Sequence, residues 1–191
     1  MLLFRSTLLL LLISFTLGCA SLMSAVSGPQ GSDQNHGKRT LGSKIEDYAI
    51  EIKAGANLRK AMTNFHQSHI VVVSFNGITL LLGQVTGENQ RNVAVSTVKV
   101  IRHVRTVHDR LTVGEQTTYH QRLADTWQTY KIKSKLLFSE GFPSNQVKVI
   151  TENGVVYLMG LLTEKEAERA TAISRRVKGV KKVVKVFEFI S

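Results

Sequence analysis

Cysteine is scarce in this chain, and the usual catalytic motifs are missing. The 191 residues contain one cysteine, Cys19. A lone cysteine cannot form an internal disulfide, so the chain is not a disulfide-bonded scaffold. It also lacks a glycine-rich phosphate loop and a nucleophile–base pair at a recognisable spacing. We therefore expect a protein that is not an enzyme.

The six histidines do not form a recognisable metal site. His66 and His69 have a spacing that metal ligands can use, but no cysteine, aspartate or glutamate lies near them to complete a site. Glu164, Glu166 and Glu168 occur where a helix is predicted to begin, and the helix dipole favours acidic residues there. We interpret them as helix-end charges rather than catalytic carboxylates. The sequence thus predicts neither a metal nor a cofactor.

The chain is strongly basic, with a formal net charge of +11 at pH 7. Such a charge fits nucleic acid, an anionic membrane or an acidic protein as partner. Residues 1–17 carry one charge, Arg5, followed by an apolar run too short to span a membrane comfortably. This pattern is typical of a secretory signal, and export removes nucleic acid as a natural partner.

The residues around Cys19 resemble a bacterial lipobox, in which the cysteine is acylated and becomes the mature N-terminus. The resemblance implies a signal peptide over residues 1–18 and a lipid on Cys19. Thr16 departs from the pattern, because lipoboxes usually carry leucine there; the alternative is an ordinary signal peptide with an incidental cysteine. Ala20 stands where retention in the inner membrane would require aspartate, so the resemblance implies anchoring in the outer membrane.

The rest of the chain contains an internal duplication. Two apolar segments share an Asn-Gly pair, a later glycine and a threonine, all displaced by 77 residues. The matched residues are Asn76, Gly77, Gly83 and Thr86 in the first copy, and Asn153, Gly154, Gly160 and Thr163 in the second. An Asn-Gly pair favours a two-residue hairpin turn, and the later glycine suits a close backbone approach at the strand end. One module has therefore been duplicated.

Hydrophobic periodicity predicts helix–strand–strand–helix–strand in each copy, an α+β module of two helices packed on a three-stranded sheet. We place the first module at residues 45–113 and the second at 122–191. Residues 114–121 are polar and are predicted to link the modules. Residues 19–44, rich in serine and glycine without apolar periodicity, are predicted to form a flexible tether.

The hairpin glycines and the run Val177-x-Gly179-Val180-x-x-Val183 resemble the BON domain. The first copy, with His103-Val104-x-x-Val107, lacks the glycine of that run. A lipobox followed by two such modules is similar to the DolP family of outer-membrane lipoproteins. The resemblance implies a mixed sheet in each module. It also implies a periplasmic lipoprotein that binds anionic phospholipid (phosphatidylglycerol and cardiolipin), supports envelope integrity and concentrates at the division site.

The two copies differ on one face of their first helix. Trp127, Leu137 and Phe138 of the second copy align with alanine, arginine and lysine in the first. At 100° per residue they lie opposite Ile132 and Leu136, which are predicted to pack on the sheet. An aromatic apolar stripe beside lysines is typical of a helix lying in a membrane interface. The predicted phospholipid-binding residues are Trp127, Tyr130, Lys131, Ser134, Lys135, Leu137 and Phe138.

Several alternatives remain open at this stage. The stripe could instead pack against the first module. The protein could be an adaptor that docks an envelope assembly machine or a cell-wall enzyme, and a hydrolase is a more distant alternative. A second cluster of cations is interpreted as a helper of lipid binding or as a solvated surface; it comprises Arg175, Arg176, Lys178, Lys181 and Lys182.

Overall fold

The computed structural model describes residues 37–190. The predicted signal peptide, Cys19 and most of the tether lie outside these residues. The first module contains α1 (Leu41–Ala61), β1 (His69–Phe75), β2 (Ile78–Val85), α2 (Glu88–Lys99) and β3 (Thr106–Val113). The second contains α3 (Tyr119–Leu137), β4 (Val147–Glu152), β5 (Val155–Leu162), α4 (Glu164–Arg175) and β6 (Lys182–Phe189).

Each module folds around a three-stranded mixed sheet. The strand orders are β1-β2-β3 and β4-β5-β6. In both sheets the first two strands pair antiparallel and the last two pair parallel. Since two strands can run parallel only through a crossover connection, α2 and α4 each return the chain to the sheet. The predicted α+β architecture is confirmed.

Two helices begin earlier than the sequence analysis placed them. Thr40 caps α1 by accepting a hydrogen bond from the Ser43 N–H, so residues 41–44 are helical rather than part of the tether. Thr118 caps α3 in the same way through the Gln121 N–H, so residues 119–121 are helical rather than linker. In both cases a threonine N-cap extends the helix beyond its buried apolar positions.

Both Asn-Gly pairs form the hairpin turns, with positive φ angles of 53° and 74° at Asn76 and Gly77, and 51° and 75° at Asn153 and Gly154. Gly83, with φ of 111°, lies so close to the preceding strand that a Cβ would stand 1.9 Å from a backbone carbonyl oxygen. A side chain at this strand end would therefore force the hairpin apart.

A buried aspartate on the first helix of each module holds the hairpin turn. Asp47 accepts hydrogen bonds from the N–H groups of Asn76 (2.8 Å) and Gly77 (2.9 Å). Asp125 accepts the equivalent bonds from the Asn153 N–H (2.7 Å) and the Gly154 N–H (2.8 Å). Each carboxylate thus ties its helix to its hairpin. Neither aspartate is among the residues predicted from the sequence, although their separation of 78 positions is a signal of the duplication.

Each sheet packs on its own two helices through one face. In the first module this core includes Ile50, Ala54 and Leu58 of α1 together with Leu81 and Val85 of β2. The core of the second module is built in the same way, from Ile132 and Leu136 of α3, Val149, Val156 and Leu158 of the sheet, and Ala170 of α4.

The opposite faces of the two sheets pack against each other. A third core joins the modules and contains Val73, Phe75, Leu80 and Leu82 of the first sheet with Tyr157, Met159 and Val186 of the second. The first sheet therefore divides its side chains by alternation, with Leu81 toward the helices and its two neighbours toward the other module. Consequently the helices form the two outer layers, and α1 and α3 lie on opposite sides of the paired sheets.

Polar contacts surround this third core. Arg105 forms an ion pair with Glu188 at 2.9 Å. The amide of Gln84 donates a hydrogen bond to Glu152 at 2.9 Å, and the ring of His69 lies 3.5 Å from the same carboxylate. Each of these contacts joins one module to the other. The relative position of the modules is therefore fixed by the apolar core between the sheets and by the polar contacts around it.

Candidate membrane-contact surface

The helix α3 presents two different faces. Ile132 and Leu136 are 0% and 1% exposed and pack on the sheet. The opposite face carries large apolar side chains that are all more than half exposed. This α3 stripe consists of Leu123 (56%), Trp127 (56%), Tyr130 (61%), Leu137 (64%) and Phe138 (84%). None of its members belongs to the core between the modules.

Trp127 sits at the centre of the stripe and is held by its neighbours. Its ring stacks on that of Tyr130, with centroids 5.6 Å apart and planes 13° from parallel. The ammonium of Lys131 lies 5.2 Å from the indole centroid, within the range of a cation–π contact. The indole is therefore presented to solvent in a fixed orientation beside a positive charge.

The C-terminal end of the stripe is fixed by the turn that follows α3. The Phe138 N–H donates to the Ser134 carbonyl at 3.0 Å, so Phe138 caps the helix and its side chain remains outside. Four residues later Phe142 is buried, with the Arg169 guanidinium 5.9 Å from its ring centroid. The chain thus buries one phenylalanine as an anchor and leaves the other exposed.

The polar residues predicted for the site lie along the same helix. Lys135 is exposed, whereas Lys131 and Ser134 are partly buried. Tyr119, which is 70% exposed, extends the apolar face toward the start of α3. Tyr119 is absent from the predicted lipid-binding residues because residues 114–121 are predicted to form the linker.

The first module also carries an exposed apolar stripe, which the comparison of the two copies did not find. This α1 stripe consists of Leu41 (65% exposed), Ile45 (60%), Tyr48 (65%) and Ile52 (54%). Leu41 lies within residues 19–44, which the sequence predicts as tether, so the predicted helix leaves out this end of the stripe. The difference between the modules is therefore one of composition: only the α3 stripe contains tryptophan and phenylalanine.

The cations of the two modules differ in their partners. Within residues 37–190, Arg39, Arg91 and Arg105 of the first module form ion pairs with carboxylates. In the second module, the single ion pair of a lysine or arginine in the described chain is that of Lys148, which reaches across to Glu51. Within residues 37–190, the other lysines and arginines of the second module form no ion pair with a carboxylate.

Two kinds of site are absent from the described part of the chain. No helix between residues 37 and 190 is both long enough and apolar enough to cross a bilayer. The same residues contain no group of three or more histidine, cysteine, aspartate or glutamate side chains placed to hold a metal ion.

Comparison with known proteins places the chain in a family. A model of the BON domain matches residues 47–115 and again 124–190. Over 179 residues the chain is 33% identical to the outer membrane lipoprotein DolP of Haemophilus influenzae, covering 92% of this chain and 91% of that protein.

Two further relatives have different names. The chain is 34% identical over 152 residues to a 21 kDa hemolysin of Actinobacillus pleuropneumoniae, covering 80% of this chain and 78% of the relative. It is 31% identical over 194 residues to osmotically-inducible protein Y of Escherichia coli, covering 93% and 96%. With two matched domains and near-complete coverage of its DolP relative, the chain belongs to the DolP family of dual BON-domain proteins.

Proposed function

We propose that this protein is a non-catalytic outer-membrane lipoprotein that faces the periplasm and binds anionic phospholipid through α3. The exposed α3 stripe is the observation that carries the proposal, because a helix with an aromatic apolar face and flanking lysines suits a lipid interface. Its DolP relative is named an outer membrane lipoprotein, which supports a lipid on Cys19. Phosphatidylglycerol and cardiolipin are the proposed lipids, and a role in envelope integrity at the division site follows the family resemblance.

The free energy available from the stripe is sufficient for this role. Fully burying Trp127, Leu137 or Phe138 contributes about 1.5–3 kcal/mol each. A lysine near an anionic surface contributes about 1 kcal/mol. Because an acyl anchor on Cys19 would already hold the module near the bilayer, these terms need only orient it there rather than recruit it from solution.

The single tryptophan of the chain makes the proposal directly testable. We expect the emission of Trp127 to shift to shorter wavelength and to be quenched by brominated acyl chains when the full-length protein is placed in vesicles containing phosphatidylglycerol. Phe138→Glu should reduce that quenching roughly 10-fold or more, since it removes the burial of one aromatic side chain. Unchanged quenching in this variant, or none in the natural protein, would contradict the proposal.

A matched control moves the indole to the other module. Tyr48 is 65% exposed on α1 and Trp127 is 56% exposed on α3, so Trp127→Tyr combined with Tyr48→Trp leaves one tryptophan at similar exposure. We expect no quenching from position 48, because α1 lies on the opposite side of the paired sheets. Quenching at both positions would mean that the protein lies in the bilayer without a preferred face.

A second candidate function is that of a protein adaptor, and the α1 stripe favours it. The sheet faces that do not pack on helices are buried against each other, so they cannot dock a partner. The α1 stripe is an apolar surface of the first module that remains exposed. A photocrosslinking residue at position 48 should then capture an envelope protein, whereas one at the exposed Lys99 should not.

A further inference from the structure

The turn between α4 and β6 concentrates positive charge on a rigid loop. Five cations lie within eight positions and all are exposed; we call Arg175, Arg176, Lys178, Lys181 and Lys182 the basic turn. Val177 in its middle is 4% exposed and packs in the core of the second module. The Lys181 N–H donates to the Gly154 carbonyl at 2.8 Å. The backbone is therefore anchored on both sides, and the charged side chains project from a fixed support.

The basic turn adjoins the flank of the α3 stripe. Gly179 packs so closely on α3 that a Cβ at this position would lie 2.6 Å from Gln128 Nε2. Gln128 follows Trp127 directly and lies one helical turn from Lys131. The turn and the lysine that covers the indole therefore lie along the same side of the stripe.

These five cations form no salt bridge with a carboxylate in the described chain. None of them forms an ion pair within residues 37–190, and the polar contact of Lys181 is to the neutral amide of Asn153 at 3.2 Å. The corresponding turn of the first module differs, because its Arg105 takes the place of Lys181 and pairs with Glu188. The same loop is thus used for internal contacts in one module and left open in the other.

We propose that the basic turn binds the anionic headgroups of the bilayer that the α3 stripe enters, and that it determines the preference for anionic lipid. The inference rests on the function proposed above and divides that surface into two parts. The stripe provides burial, which is indifferent to headgroup charge. The turn provides attraction to anionic headgroups, which salt weakens because exposed charges are screened.

The test compares two triple variants of equal charge change in the full-length protein. Arg175→Gln, Arg176→Gln and Lys178→Gln neutralise the turn. The control neutralises three exposed cations of α1, namely Lys53, Arg59 and Lys60. Both are placed in phosphatidylcholine vesicles with an increasing fraction of phosphatidylglycerol, and quenching of Trp127 by brominated acyl chains is measured.

We expect the turn variant to bind on the order of 100-fold more weakly to anionic vesicles, about fivefold for each charge. At the highest phosphatidylglycerol fraction its quenching should still reach that of the natural protein, because the stripe is intact. Its dependence on sodium chloride should also become shallower. The α1 variant should match the natural protein in all three measurements.

Three results would overturn the inference. Equal weakening in both triple variants would mean that net charge alone matters. No weakening in the turn variant would mean that the α3 lysines, not the turn, determine the preference for anionic lipid. The double variant Lys181→Gln with Lys182→Gln tests the same point from the other end of the turn. Quenching of the natural protein that is independent of phosphatidylglycerol would remove anionic selectivity while leaving insertion of the stripe in place. Absence of any quenching would instead contradict the proposed function itself.

Discussion

The two modules keep the same interior and differ on their outer surfaces. Leu58 and Leu136 occupy equivalent positions on the first helices, and each is 1% exposed. Trp127, by contrast, faces solvent where the first module has Ala49. Both modules began with the same core and the same surface, because duplication copies both. The positions that remain alike are therefore those that packing constrains. Interior positions stay apolar to preserve the fold, while surface positions are free to acquire separate tasks.

The paired sheets explain how one chain can carry two different outer surfaces. Each module buries one sheet face on its helices and the other on its neighbour. A module alone would expose the face that contains Leu80 and Leu82, both 0% exposed in the pair. Each module therefore depends on the other to bury one face of its sheet. Their first helices lie on opposite sides of the paired sheets and can contact different partners.

The largest effect we predict comes from the aspartates that tie helix to hairpin. Asp47→Ala and Asp125→Ala should each lower the free energy of unfolding by about 2–4 kcal/mol, because each leaves two backbone N–H groups without a partner. Asp125 accepts one further hydrogen bond, from the Gln121 side-chain amide (2.9 Å), whereas Asp47 accepts two, from the Ser74 hydroxyl (2.7 Å) and from Arg39, so the loss of Asp47 should cost more. Urea denaturation measures the difference between the two variants.

Asn substitutions sharpen this comparison. Asp47→Asn and Asp125→Asn retain one acceptor oxygen and should lose roughly half as much. Hydrogen exchange at the turn should accelerate in the module that carries the change. Equal and small losses in both alanine variants would mean that the Asn-Gly turns hold themselves, without help from the helices.

Local chemistry made the hairpins predictable from the sequence. Asn153 and Gly154 specify positive φ angles by residue type, so the turn can be located without knowing what packs around it. The helix starts were less visible, because Thr40 and Thr118 precede the buried apolar positions rather than belong to them. Pattern therefore located the elements but not their ends.

The contact between the sheets was beyond what the sequence could predict. The run Leu80-Leu81-Leu82 signals a strand buried on both faces, yet nothing in it says whether helices, a second module or another chain covers the second face. Helical geometry likewise predicts that Trp127 points away from its own sheet. Whether the first module covers it could be decided only from the structure, which leaves it exposed. Long-range partners decide both questions.

A smaller effect should appear where the modules meet. Hydrogen bonds from Arg105 hold the pKa of Glu188 below its ordinary value. Burial raises the pKa of Glu152, but hydrogen bonds from His69 and Gln84, together with the charges of His69 and Arg122, outweigh burial, so its pKa is also lowered. A lowered carboxyl pKa stabilises the folded state fully above the ordinary glutamate value, and this contribution is lost as the pH falls through the folded pKa.

Acid should therefore loosen the contact between the modules. We expect Glu188→Gln to lower the free energy of unfolding by about 0.5–1 kcal/mol at pH 7, as for other partly exposed ion pairs. The loss should vanish below the folded pKa, where the natural glutamate is protonated too. Urea titrations from pH 7 to strongly acidic pH measure this, and a constant difference between the two proteins across the range would show that the ion pair does not couple to stability.

The smallest effect, that of His103→Gly, tests a loop in which the left-handed position is histidine in one copy and glycine in the other. His103 adopts a φ of 70° where the second module has Gly179 with a φ of 91°. The loops correspond because Arg105 and Lys181, two residues later in each, donate the same hydrogen bond to the hairpin turn. Left-handed backbone costs a non-glycine residue about 1 kcal/mol or more. His103→Gly should relieve this strain, offset in part by the greater freedom of glycine in the unfolded chain.

We therefore expect His103→Gly to raise the free energy of unfolding by about 0.5 kcal/mol, since the side chain is exposed and makes no hydrogen bond in the described chain. The reciprocal change, Gly179→Ala, should lower it by about 1–2 kcal/mol, because alanine adds backbone strain and approaches Gln128. Thermal and urea unfolding of both variants make the measurement. If His103→Gly instead destabilises the protein, the histidine side chain makes a stabilising contact that outweighs the backbone strain. The difference between the two loops would then reflect a role of His103 rather than strain that the fold tolerates.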